Sequence, residues 1–135
     1  MKGETPVIHS VHGLTLLIKR NLEKDFSGLW VQGEITNFKK SPTGHFYFDL
    51  KDETAQISVA LFKGMATRIG LPSILGLDSF SQLDDFRTVQ SKVNGKTVKV
   101  SGSLSVYEKS GRYNLIADFL EMEGLGDLQK KFEEL

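Results

Sequence analysis

Leu29-Trp30-Val31-Gln32-Gly33-Glu34-Ile35-Thr36-Asn37-Phe38, answered after a short break by His45-Phe46-Tyr47-Phe48-Asp49-Leu50-Lys51, decides how this chain folds. In the first run Leu29, Val31, Gly33 and Ile35 share one face and Trp30, Gln32, Glu34 and Thr36 the other, the period of two that marks a half-buried strand. In the second, Phe46, Phe48 and Leu50 point inward, and His45, Tyr47, Asp49 and Lys51 point outward. Ser41-Pro42-Thr43-Gly44 supplies turn residues between them, so the two runs make a hairpin. Lys51-Asp52-Glu53-Thr54 turns the chain again into Ile57, Val59 and Leu61, which alternate with Ser58, Ala60 and Phe62. Three strands form a meander.

Upstream, Val11, Leu14, Leu17, Ile18 and Leu22 recur at helical spacing, with Lys19, Arg20, Glu23 and Lys24 on the other side. The pattern predicts an amphipathic helix over Ser10 to Lys24 that needs a partner to pack on, with Ser10 as its cap. Trp30, opposite Val31, is expected to pack under this helix rather than against a ligand. Downstream, residues 64–96 are punctuated by Gly64, Gly70, Pro72, Gly76 and Gly95, which predicts a helix or two and a mobile loop. The period of two then returns in Val98, Val100, Gly102, Leu104 and Val106, and after the turn Lys109-Ser110-Gly111 a fifth strand runs from Arg112 to Met122. Leu128, Phe132 and Leu135 open a last helix.

A meander, an interruption and a hairpin match the five-stranded Greek-key barrel known as the OB-fold. A sandwich would want about seven strands. The expected fold is therefore mainly β: an OB barrel with an N-terminal α-helix, an irregular or helical insertion between strands 3 and 4, and the start of a C-terminal helix. Gly33 and Gly102, each inside a strand, suit the sharp coiling of a small barrel. The organisation reads as a helical extension (1–25), the barrel (26–123) and a linker helix (124–135).

Composition removes several classes of function. Seventeen Lys and Arg balance seventeen Asp and Glu, so polyanion binding has to be local rather than a matter of bulk charge. With no cysteine there is no disulfide scaffold, thiol nucleophile or cysteine-ligated metal, and a reducing, cytoplasmic location fits. No apolar run approaches the roughly 18 residues of a membrane span, so no membrane partner is expected. His9 and His12 stand three apart without a third ligand, and the pairs Asp52-Glu53, Asp84-Asp85 and Glu133-Glu134 fall where solvated charge explains them. Neither a phosphate-cradling loop nor a dinucleotide fingerprint occurs. No catalytic residue, metal or cofactor is assigned.

What remains is a surface. On an OB barrel, ligands lie across strands 2 and 3 and between the loops joining strands 1–2 and 4–5. Those places carry Phe38, Lys39, Lys40, His45, Tyr47, Lys51, Phe62, Lys63, Tyr107, Lys109, Arg112 and Tyr113. Rings that stack on bases, interleaved with cations that neutralise phosphates, suit a single strand. Tyr47 and Tyr113 also fit cross-strand packing, and Lys39-Lys40 also fits a soluble loop. An RNA reader such as a tRNA-anticodon barrel, and a protein-docking barrel, stay open on the pattern alone.

Leu14-Thr15, Leu17-Ile18-Lys19-Arg20, Leu22-Glu23 and the run from Leu29 to Phe38 resemble the start of the exonuclease VII large subunit. The hairpin Ser41 to Asp52, Phe62-Lys63-Gly64, the stretch Gly102 to Glu108, Gly111 to Ile116 and Gly124-Leu125-Gly126-Asp127-Leu128 continue the resemblance in the same order. It implies a single-stranded-DNA-binding N-terminal domain of a bacterial nuclease. That enzyme degrades single-stranded DNA from both ends to short oligonucleotides without a divalent metal, and its small subunits bind elsewhere. The resemblance places catalysis and the small-subunit contact beyond Leu135. Three features depart from the family pattern: the long 64–96 stretch, Ser101 and Ser103 where basic residues are usual, and His12-Gly13 at the helix start.

Overall fold

The computed structural model describes residues 5–123, so the expected linker helix of 124–135 lies outside the described residues, as do residues 1–4. Helix α1 (Val11–Asp25) leads into β1 (Leu29–Lys40), β2 (Phe46–Lys51) and β3 (Gln56–Leu61). The insertion holds α2 (Lys63–Ile69), α3 (Leu71–Ile74), a 3₁₀ turn over Phe80–Asp84 and α4 (Phe86–Lys92), and β4 (Thr97–Tyr107) and β5 (Arg112–Met122) follow. The strands close into a barrel in the order β1-β2-β3-β5-β4. All neighbours are antiparallel except β3 and β5. This is the five-stranded OB architecture expected from the alternation.

Closure depends on backbones approaching where side chains are missing. β4 shifts register between Ser101 and Gly102, and a Cβ on Gly102 would drive into the Ile116 carbonyl of β5. At Gly33 an added Cβ would stand 2.8 Å from Leu50 Cγ and 2.9 Å from the Lys51 carbonyl oxygen on β2. Both glycines are thus required by packing, as their place inside strands implies.

Inside the barrel, the inward residues of each strand meet: Ile35, Phe46, Phe48, Leu50, Val59, Leu61, Val98, Val100, Leu115 and Leu120. Burying each such side chain contributes about 1.5–3 kcal/mol. β1 breaks its own alternation once. Thr36 pairs with Asp49 but Lys39 pairs with Tyr47, so Asn37 and Phe38 together face one residue of β2. Asn37 absorbs this bulge at φ 54°, a left-handed conformation that asparagine tolerates better than most residues.

The helices expected in the insertion are present, and they pack onto the barrel. Ala66, Leu71, Leu75, Leu77, Leu83, Val89 and Val93 join the barrel core in one cluster, and Phe80 stacks 6.3 Å from Phe46. The glycine Gly70 ends α2 in the left-handed region rather than loosening the segment, and Asp85 caps α4 by accepting from the Arg87 N–H. The segment is a helical cap on the barrel.

Helix α1 starts as expected, with Ser10 Oγ accepting the Gly13 N–H at 2.9 Å. It lies against β4 and is tied there by Lys19 to Glu108 (3.0 Å) and by the Ser105 hydroxyl donating to Glu23 (3.2 Å). The hydrogen bond and charge of Lys19 hold the Glu108 carboxyl below its ordinary value. None of its side chains is fully buried. Trp30 is not packed under it as expected: it is 56% exposed, with its ring edge-on to Phe119.

Between β2 and β3, Asp52 Oδ1 accepts the N–H groups of Thr54 (2.9 Å) and Ala55 (2.8 Å), and these bonds hold its carboxyl below the usual range. A carboxyl with a depressed native pKa contributes stability above its unfolded value and loses it as pH falls through the native one. Asp52→Asn is therefore expected to lower the melting temperature at neutral pH and to flatten its decline in strong acid, read by thermal unfolding across a pH series. Gly102→Ala is expected to destabilise the barrel by about 1–3 kcal/mol or more through overpacking, measured by denaturant titration.

Candidate nucleic-acid interface

The outward faces of β2 and β3, flanked by the β1 bulge and the start of β5, form one side of the barrel. Asp49 stands directly opposite Ser58 across the β2–β3 pair, and Thr36 opposite Asp49 across β1–β2. Because Val59 pairs with Leu115, the register sets Asn114 of β5 alongside Ser58. A polar row of Asn37, Asp49, Ser58 and Asn114 therefore crosses four strands. It lines a cavity of ≈ 570 Å³ whose wall also includes Lys39, Lys40, Pro42 and Tyr47.

Two further depressions continue this cavity. One, of ≈ 830 Å³, shares Ser58 and Asn114 with it and adds Tyr107, Arg112 and Tyr113 from the β4–β5 hairpin. The other, of ≈ 330 Å³, shares Lys40 and Pro42 and adds Lys63 and Phe80. Together they make a track from the β4–β5 turn, across β3 and β2, to the hairpin turn at Pro42. Eight of the twelve expected site residues stand on or beside it: Lys39, Lys40, Tyr47, Lys63, Tyr107, Arg112 and Tyr113 line these hollows, and exposed Phe62 precedes Lys63.

The other four sit differently. Lys51 shares a smaller hollow of ≈ 170 Å³ with Tyr113 at the barrel end, and Lys109 is exposed in the β4–β5 turn. His45 is half-buried. Its Nδ1 accepts the Lys63 N–H at 3.0 Å and its ring meets Phe62 edge-on at 5.3 Å, so the imidazole serves the start of α2 as well as bordering the track. Phe38 has to be corrected. It is 6% exposed, with its ring 5.7 Å from Phe46 and 5.8 Å from Phe48, and it offers no face to a base. The bulge at Asn37 turns it inward, which simple alternation from Val31 and Ile35 does not reveal.

Asn37, Asp49, Ser58 and Asn114 were not singled out by the sequence reading. The outward phase of Asp49 and Ser58 was available as a signal, but their meeting depends on lateral register. One cation of the track is already engaged: Lys40 Nζ pairs with Asp84 of the insertion at 3.1 Å. Among the described residues no group of three or more His, Asp or Glu gathers as a metal site, and no helix is long and apolar enough to cross a membrane.

A closed five-stranded barrel with its concave track over strands 2 and 3 has the shape of an oligonucleotide-binding fold. Residues 9–121 match the family model described as OB-fold nucleic acid binding domain, and the chain belongs to that family. It is 39% identical over 130 residues to the exodeoxyribonuclease 7 large subunit of Desulforudis audaxviator, covering 95% of this chain and 27% of that protein. To the exodeoxyribonuclease 7 large subunit of Neisseria meningitidis serogroup A it is 33% identical over 126 residues, covering 93% and 24%. The chain thus spans about a quarter of the length of these curated relatives. Among solved structures, that of a replication protein A heterotrimer bound to single-stranded DNA aligns over 80% of this chain and 67% of its own, at 16% identity and a TM-score of 0.47.

Phe38→Ala is expected to cost about 3–5 kcal/mol of stability, the loss of a buried ring, as measured by denaturant unfolding.

Proposed function

We propose that this chain is the N-terminal DNA-binding domain of an exodeoxyribonuclease VII large subunit, and that it holds single-stranded DNA along the track for hydrolysis by a catalytic domain outside this sequence. The observation that carries the reading is the continuity of the three hollows. They set Tyr107 and Tyr113, then Tyr47, on a path edged by Arg112, Lys39, Lys40 and Lys63. Each of these rings can stack on a base whatever its identity, and each cation can neutralise a phosphate. His45, Lys51, Phe62 and Lys109 border the path as secondary contacts. A path that is shallow, open and lined by flat rings fits a flexible strand better than a duplex, whose reading calls for a helix or ribbon shaped to a groove.

The similarity to exodeoxyribonuclease large subunits supports the choice of DNA and of a nuclease context. Contact with a small subunit is assigned to the part of the protein that this chain does not span, and the working compartment to the cytoplasm. The helical extension (1–25), the barrel (26–123) and a linker (124–135) keep their proposed roles, the last leading toward the catalytic domain.

Fluorescence anisotropy with a labelled single-stranded oligodeoxynucleotide, its duplex and the matching RNA tests the reading. The single DNA strand is expected to bind most tightly, with affinity falling as salt rises. Tyr47→Ala is expected to weaken it by about 1–3 kcal/mol. Preference for the RNA would move the domain to the RNA readers, and no binding to any strand at low salt would leave a protein-docking barrel.

A further inference from the structure

We propose that Asp49 reads the Watson–Crick edge of an unpaired guanine at the centre of the track. The inference rests on the single-strand reading above and adds a base preference to it.

The starting point is a carboxylate where a phosphate-binding surface should avoid one. Asp49 lines the central cavity between Lys39 and Lys40 on one side and Ser58 and Asn114 on the other, and among the described residues it has no cationic partner. Its charge repels phosphate. A strand that lies over it has to keep its backbone toward the lysines and present a base edge inward.

The carboxylate is also fixed in orientation. Its Oδ2 accepts the Asn37 Nδ2–H at 3.0 Å, and its Oδ1 accepts the Ser58 hydroxyl at 3.3 Å. Asn37 is itself set by the bulge at φ 54°, so the geometry of the strand aims the side chain. An ionised carboxylate offers about four lone-pair sites, and one protein donor on each oxygen leaves a free acceptor position on each. The vacant pair matches two adjacent donors.

Only guanine carries two adjacent donors on its Watson–Crick edge, N1–H and N2–H. Adenine and cytosine set one amino group beside a ring nitrogen that is itself an acceptor and would face the second oxygen. Thymine offers one N–H between two carbonyls. A bidentate, charge-assisted contact therefore favours guanine over the other three. In a duplex those donors are committed to cytosine, so the same contact also rejects paired DNA. Tyr47, two residues before Asp49 on the same outward face, lines the same cavity and supplies a ring for the base to stack on.

The test compares oligothymidylate with the same strand carrying one central guanine, or one central inosine, which keeps N1–H and lacks the N2 amino group. The guanine strand is expected to bind about tenfold more tightly than oligothymidylate, the scale of one bidentate base contact, with inosine between them. Asp49→Asn is expected to bring the guanine and thymine strands to equal affinity. The inosine comparison needs no variant, so a guanine strand that binds no tighter than the inosine strand overturns the two-donor contact even if Asp49→Asn fails to fold, and a folded Asp49→Asn that keeps the guanine preference overturns the role of Asp49. Tight but equal binding of all three strands would overturn the base preference and leave the single-strand reading intact. Binding of none would overturn both.

Discussion

Two backbone approaches govern this molecule: β5 against β4 at Gly102, and β2 against β1 at Gly33. A five-stranded sheet closes only if its long strands coil sharply, and sharp coiling brings main chains closer than a Cβ permits. The consequence reaches the candidate binding face. Coiling curves β2 and β3 so that Tyr47, Asp49 and Ser58 line a concave surface, and it brings β5 beside β3 so that Asn114 completes the row. The insertion then caps the barrel with its own apolar residues and fixes the position of the β1–β2 turn through His45 and Lys63.

The alternation of apolar residues made the five strands legible, and α1 with its Ser10 cap was legible from helical spacing. Phe38 shows where that legibility stops. A bulge shifts phase by one residue, and whether Asn37 adopts a left-handed conformation depends on pairing with β2, which no local pattern encodes. The helices of the insertion were expected, but their packing onto the barrel was not legible, for a related reason. Its glycines resemble those of a loose loop, yet its leucines and valines find a partner only once the barrel exists to be capped.

The candidate binding face was legible in part. Tyrosines and cations at outward positions of strands and turns stand out one by one along the sequence, and most of them reach the track. The polar row was not, because Asn37, Asp49, Ser58 and Asn114 come from four strands, and only lateral register makes them neighbours. Under the proposed base preference, those four residues separate a surface that tolerates any strand from one that discriminates among bases.

The pairing of Lys40 with Asp84 bears on how the track responds to its ionic surroundings. A lysine that already holds a carboxylate meets an arriving phosphate by exchanging one anion for another, and the displaced Asp84 then gathers a cation of its own from solution. Fewer small ions are set free than at a lysine standing alone. In the proposed binding mode, the helical cap thereby moderates the electrostatic grip of the groove beside it.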